Sequence, residues 1–244
     1  MHNKIFDIIK SKITNILNPP KTIQLSHADA LKFATLKERF TYIYQVNHWG
    51  SLESRSGFGS GLLYTENLRK ELPVLIKKFS IKKIFDGACG DFNWMQHFLK
   101  TVDIEYIGGD IAEQLIHSNN IKYKNDKISF IHIDLVNHHY PTADLMICRD
   151  CLFHLSYKDT RFLLDRFIES NSKYLLATTH KNKNNSFVNK DIVSGDYRMT
   201  DLFSPPYNFN PSPLSRIDDW MAPEPEREMC LWSRDQIISL KNSL

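Results

Sequence analysis

Glycine and cysteine are scarce in this chain: 9 and 4 of its 244 residues. Four cysteines in a chain of this length make no disulfide ladder, and Cys148-x-x-Cys151 stands without a second ligand pair. A reducing compartment, the cytoplasm, is therefore expected, and no zinc site. No apolar run reaches the roughly eighteen residues that a membrane-spanning helix requires. Lys10 and Lys12 interrupt the apolar residues near the start, so no signal peptide is read and the mature chain is expected to begin at Met1. A large excess of one charge is missing too. Lys and Arg number 31 against 28 Asp and Glu, and a balance of +3 is too mild to argue for nucleic acid or an anionic membrane as partner. What is plentiful is core material, since 42% of residues are hydrophobic and 12% aromatic, which suits one well-cored globular domain.

Ile5, Ile9, Ile13 and Ile16 fall at helical spacing before Pro19 and Pro20. They predict an amphipathic helix docked on the domain or on a partner subunit, as in a homodimer, with contact to a membrane surface as the alternative. From Ser26 to Tyr44 the pattern is again helical, with Ser26 and Asp29 as the capping pair. Four of the nine glycines (Gly50, Gly57, Gly59 and Gly61) then crowd into one loop. Leu68, Leu72, Leu75, Ile76 and Phe79 form the next helical stripe, with Pro73 kinking it or starting its main part. Beyond it, short apolar runs alternate with helical segments. Strands are expected at Lys82–Asp86, Ile104–Gly109, Ile128–Ile133, Ala143–Cys148, Lys173–Thr179 and Glu228–Trp232. Helices are expected at Phe92–Thr101, Ala112–Asn120 and Tyr157–Ser170, the last capped by Ser156, and a short final helix opens at Ser233 and Gln236. Such alternation implies right-handed crossovers and a mostly parallel sheet with helices on both faces, an α/β fold. Residues 181–226, rich in Asn, Pro and Ser, are read as a long loop that covers a substrate or binds a partner. The expected organisation is an N-terminal helix and linker (1–25), a helical cap with the glycine-rich lid loop (26–80), and a catalytic domain (81–244).

Ligands of open parallel sheets sit beyond the carboxyl ends of the strands. Asp86, Asp110 and Asp134 stand at three such ends, at equal spacings of 24 residues, and Arg149-Asp150 follows the fourth strand. Three carboxylates there suit a ligand with amine and ribose hydroxyl donors, although each alone could simply cap the next helix. The turn after the first strand lacks the G-x-G-x-x-G register of a dinucleotide site. Asp91 would also repel a pyrophosphate at the helix start, which argues against NAD and an oxidoreductase. A cationic, phosphate-free ligand such as S-adenosylmethionine meets no such objection.

These residues carry a family resemblance. The turn resembles the first motif of the class I S-adenosylmethionine-dependent methyltransferases, an acidic residue followed by a Gly-x-Gly type turn. CGDFNWM, DIAEQLI, CRDCLFHLS, KYLLATT and NKDIVSGDYR resemble a narrower bacterial subgroup associated with surface-polysaccharide and related small-molecule pathways. The resemblance implies a Rossmann-like fold, S-adenosylmethionine as cofactor and S-adenosylhomocysteine as product. It implies that Asp86, Gly87, Cys89 and Gly90 line the methionine moiety, that Asp110 and Ile111 hold the ribose, and that Asp134 and Leu135 face the adenine. Ala88 and Phe92 depart from the glycines common in that motif. Trp49, Arg55 and Gly57 are expected to fold over the cofactor.

Methyl transfer to a hydroxyl needs alignment and removal of a proton. His154, which as a histidine titrates near neutrality, and Asp150 are the candidate bases. Two such residues are too few for a metal site. Arg149 could bind an anionic acceptor. His180, with Thr179 at the end of its strand, and Asp196 and Arg198 in the later loop are candidate substrate contacts, as is Asp191. The reading is a methyltransferase acting on an oxygen, less readily a nitrogen, of a sugar, nucleotide-linked sugar or phosphate-bearing metabolite. The alternatives are an RNA or protein methyltransferase, which the absence of a basic stripe weakens, and a non-catalytic S-adenosylmethionine-binding partner subunit.

Overall fold

The structure, a computed structural model, describes residues 27–241. The expected N-terminal amphipathic helix and the Ser26 cap lie outside these residues. In place of one helix from 26 to 44 there are two, α1 (His27–Ala30) and α2 (Leu36–Gln45), separated by turns. The break follows from Thr35. Its hydroxyl accepts from the Glu38 N–H while Glu38 reaches back to the Thr35 N–H, a reciprocal cap that starts a new helix. α3 (Glu66–Lys78) runs unbroken through Pro73, burying Leu68, Leu72, Leu75 and Ile76.

Among the described residues seven strands form one sheet: β1 (Lys83–Gly87), β2 (Glu105–Asp110), β3 (Ile128–His132), β4 (Leu145–Cys148), β5 (Tyr174–His180), β6 (Ser215–Asp218) and β7 (Arg227–Ser233). Their order is β3-β2-β1-β4-β5-β7-β6. The first five are mutually parallel, and β7 is antiparallel to both β5 and β6. β4 is buried along its whole length, and β1, β5 and β7 nearly so, as strands covered on both faces must be. The intervening helices are α4 (Met95–Phe98), α5 (Glu113–Tyr123) and α6 (Tyr157–Glu169), with α7 (Arg234–Lys241) after β7. Ser156 caps α6 through the Asp159 N–H. Ser233 and Gln236 cap α7 reciprocally. Leu68, Leu115, Phe98 and Trp94 pack one face of the sheet, and Leu163, Phe167, Trp232 and Ile237 the other.

Two expectations are corrected. The helix expected from Phe92 to Thr101 starts three residues later, as α4, because Ala88, Gly90 and Phe92 all take positive φ (67°, 58° and 63°) and the chain keeps turning until Trp94; its last turn, Leu99–Thr101, tightens to a 3-10 helix. Residues 181–226 are not all loop, since Ser215–Asp218 pairs with β7 as a hairpin. The rest of that segment is fastened to the domain: the Asn189 side-chain amide donates to the carbonyls of Asp201 and Pro205, and the His180 N–H donates to the Thr200 carbonyl.

β1 lies between β2 and β4, so the crossovers leave it in opposite directions and a crevice opens at its carboxyl end. Asp86 is in register with Gly108 on one side and Ile147 on the other.

Candidate active site

A cavity of about 340 Å³ fills that crevice, and Asp86, Asp110 and Asp134 all line it. So do Cys89, Gly90, Ile111, Leu135, Trp49, Arg55, Gly57, Arg149, Asp150 and His154. Gly87, His180, Asp196 and Arg198 do not, and neither does Thr179 or Asp191.

Each carboxylate has a different environment. Asp86 is buried and accepts the Tyr106 phenol at 2.7 Å; burial pushes its carboxyl up to about 7, which that hydrogen bond and Arg149 oppose. Asp110 accepts the Gly90 N–H at 3.1 Å and the Ala112 N–H at 3.0 Å. Burial raises its pKa against those two bonds. Asp134 caps its own turn, accepting from the Val136 N–H and the Asn137 amide at 2.8 Å each.

At the other end of the cavity, Asp150 follows β4 in the left-handed region (φ 52°), held there by its N–H to Thr178 Oγ1 at 2.9 Å. Its carboxylate accepts from Arg227 at 2.9 Å and lies 3.3 Å from Arg149 Nη1. Burial works to raise its pKa, but Arg149 and Arg227 outweigh burial and hold it below the ordinary carboxylate value, so it is a weak proton acceptor. Arg149 donates twice to the buried Asp219, at 2.7 and 3.0 Å, and once to the Gly59 carbonyl at 2.7 Å. The guanidinium expected to greet an anionic acceptor is thus already committed within the protein.

His154 Nδ1 lies 2.8 Å from the Asp196 carbonyl. A carbonyl only accepts, so Nδ1 carries a proton, and in the neutral ring Nε2 carries the lone pair. The ring packs at a tilt against Trp49 (centroids 4.8 Å, 39°) and Tyr197 (5.8 Å, 53°). Asp196 therefore serves through its main chain, while its carboxylate accepts from the next residue's N–H.

The other expected substrate contacts have structural partners. His180 is 2% exposed and accepts the Thr200 N–H on Nδ1; burial, helped by Arg227, pushes it down to about 4, so the imidazole is neutral. Arg198 is buried over the rings of Tyr157 and Tyr207. Asp191 caps α6 by accepting the Tyr157 N–H. Gly87 backs onto Met146 and Leu135, where a Cβ would come within 2.8 Å of the Met146 methyl. Asp91 does not face the cavity; the hydroxyls of Ser54 and Ser56 and the Arg55 N–H engage its carboxylate.

Sequence reasoning missed Arg227, Tyr64, Tyr197 and Glu224, all on the cavity wall. Arg227 also stacks on Tyr64 at 4.8 Å. These residues belong to three separate segments, and no spacing in the sequence links them.

No protein-family model and no curated protein matches the chain. Solved structures do. The N-methyltransferase NodS from Bradyrhizobium japonicum WM9, in complex with S-adenosylhomocysteine, superposes with a TM-score of 0.55 at 8% identity, covering 78% of this chain and 97% of that one. The 1,6-didemethyltoxoflavin-N1-methyltransferase from Burkholderia thailandensis gives 0.53 at 11% identity, over 70% and 80% of the two chains. Magnesium protoporphyrin IX methyltransferase from Synechocystis PCC 6803 gives 0.50 at 11% identity, over 86% and 92%. The fold is accordingly the Rossmann-like α/β fold of these methyltransferases.

Proposed function

We propose that this chain is an S-adenosylmethionine-dependent methyltransferase whose acceptor is an oxygen of a sugar, a nucleotide-linked sugar or a related phosphate-bearing small molecule. The observation that carries the reading is one cavity lined at one end by carboxylates from three successive strand ends and at the other by His154. The residues fit the cofactor. The Asp110 carboxylate has about four acceptor positions, and the two N–H groups that fix it leave capacity for ribose hydroxyls. Ile111, Leu115, Leu135 and Val136 provide an apolar slot beside Asp134 for the adenine. Asp86 supplies a carboxyl at the end of β1 for the cationic methionine portion. The solved relatives of this fold hold S-adenosylmethionine or its product, which supports the same choice.

When bound, S-adenosylmethionine supplies a methyl carbon activated by positive sulfur. The chain's part is to align the acceptor and take its proton. His154 Nε2 is the base of this reading, because the Asp196 carbonyl fixes the tautomer and the flanking rings fix the plane. Asp150, paired with two arginines, orients and does not accept the proton. The guanidiniums of Arg149 and Arg227 are matched by the carboxylates of Asp219 and Asp150, and Glu224 on the same wall is acidic, so this end of the cavity carries no surplus positive charge. An uncharged, hydroxyl-bearing ring fits there better than a phosphate does. The strings CGDFNWM and NKDIVSGDYR support the narrower assignment to surface-polysaccharide chemistry. The N-methyltransferase relatives favour a second reading, in which the acceptor atom is nitrogen.

Isothermal titration with S-adenosylhomocysteine tests the first step, with Asp110→Ala as the variant and NAD as the control ligand. Saturable binding that the substitution abolishes is expected; binding of NAD in preference refutes the reading. Formation of S-adenosylhomocysteine with a panel of sugars, sugar nucleotides and amino sugars tests the second. His154→Ala is expected to lose at least about a hundredfold in rate while still binding the product.

A further inference from the structure

The glycine-bearing loop 50–61 supplies residues 55–60 to the cavity wall, and little apolar burial holds its outer side: Leu52 is fully exposed and Phe58 66% exposed. Hydrogen bonds hold it instead, and they converge on Asp91. Ser54 Oγ donates to Asp91 Oδ1 at 2.8 Å, the Arg55 N–H to Oδ2 at 2.8 Å, and Ser56 Oγ to Oδ1 at 3.3 Å. The Asp91 N–H returns a bond to Ser56 Oγ at 3.0 Å. Beside it, Asn93 Nδ2 donates to Glu53 Oε1 and to the Ser60 carbonyl at 2.9 and 3.0 Å. Gly90 lets the contact form, because a Cβ there would collide with the Ser56 hydroxyl. The Asn93 N–H adds a longer bond to Asp91 Oδ1 at 3.4 Å. A charged acceptor taking several donors is among the stronger hydrogen-bond arrangements a protein makes. The other three donors come from consecutive loop residues, Ser54 to Ser56. Arg55 and Gly57 on the cavity wall belong to that loop, Trp49 immediately precedes it, and the far end of the loop rests on Arg149 through the Gly59 carbonyl.

We propose that Asp91 is the latch that fastens loop 50–61 across the cavity, and is thereby a positioning residue that sets how long the cofactor stays bound. The retention half rests on the methyltransferase reading; the latch itself does not. The turn that follows β1 both lines the cofactor end of the cavity, through Cys89 and Gly90, and holds the cover over it, through Asp91.

Asp91→Asn and the pair Ser54→Ala with Ser56→Ala, made in the full chain, test this in two arms. In ligand-free protein, amide exchange over residues 50–61 and tryptic cleavage after Arg55 are expected to accelerate about tenfold or more, with exchange in β1 and β4 unchanged. With S-adenosylhomocysteine, its dissociation, followed by the fluorescence of Trp49 and Trp94, is expected to accelerate by a similar factor. The KM for S-adenosylmethionine should rise while kcat changes less. Unaltered loop exchange in Asp91→Asn overturns the latch, and so does loosening spread over the whole chain. A looser loop with an unchanged dissociation rate overturns retention. If the wild-type chain binds no S-adenosylhomocysteine, the proposed function and retention fail together, while the first arm still decides the latch.

Discussion

Replacing Asp86 with Asn should make the protein more stable at neutral and alkaline pH and leave it nearly unchanged in acid. In the unfolded chain an Asp ionises near 3.9, whereas burial raises Asp86 to about 7 in the folded protein. Below pH 4 the group is neutral in both states and costs nothing. As the pH rises from 4 to 7 the unfolded chain gives up a proton that the native state keeps, so stability falls by about 1.4 kcal/mol per unit and levels off above 7. Between pH 5 and pH 8 the loss is about 2.5 kcal/mol. Asn keeps the acceptor for the Tyr106 phenol and does not titrate, so the difference between variant and wild type isolates this one group. Urea denaturation at pH 5, 6, 7 and 8 measures it. A wild-type-minus-variant difference that stays flat over this range would refute the upward shift that burial gives the Asp86 carboxyl.

His180 should act in the opposite sense. Its folded pKa of about 4 lies below the ordinary 6.5, so as the pH falls from 7 to 5 the unfolded chain takes up a proton that the native state refuses, at a cost of about 2 kcal/mol. His180→Asn, which retains an acceptor for the Thr200 N–H, should remove that part of the acid sensitivity in the same denaturation series. Gly59→Ala places a Cβ 2.7 Å from Arg227 Nη2 and 2.9 Å from Asp150 Oδ2. About 1–3 kcal/mol of stability should be lost, together with methyl transfer, and wild-type behaviour in both assays would disprove the close seating of the loop on the ion pair.

The strand ends were legible because buried parallel strands are short apolar runs, and a carboxylate that interrupts such a run has no reason to be there except at its end. β1 to β5 begin and end within about two residues of their expected bounds for that reason. β6 was not legible. Ser215–Asp218 has Ile217 as its single apolar residue, sits at the sheet edge, and is made a strand by pairing with β7, a contact that no local pattern announces. Arg198 and His180 look like site residues in sequence because they are polar and follow a strand end, but their partners, two tyrosine rings and a backbone N–H, lie up to 41 residues away along the chain. Asp91 was noticed for its charge, but its partners were not legible: the carboxylate accepts from the hydroxyls of Ser54 and Ser56 and the Arg55 N–H, more than thirty residues earlier in the chain.

The placement of β7 between β5 and β6 bears on how the protein is made. While the ribosome has released the chain only as far as residue 226, β5 has one edge without a partner, and the buried run Leu175–Ala177 that later meets Leu231 and Cys230 is exposed to other nascent chains. Arg227, the first residue of β7, also supplies the partner of Asp150. Closing the sheet and completing the cavity wall around Asp150 are therefore one event, so a translation product arrested before β7 should be prone to aggregate and, on the proposed function, without activity.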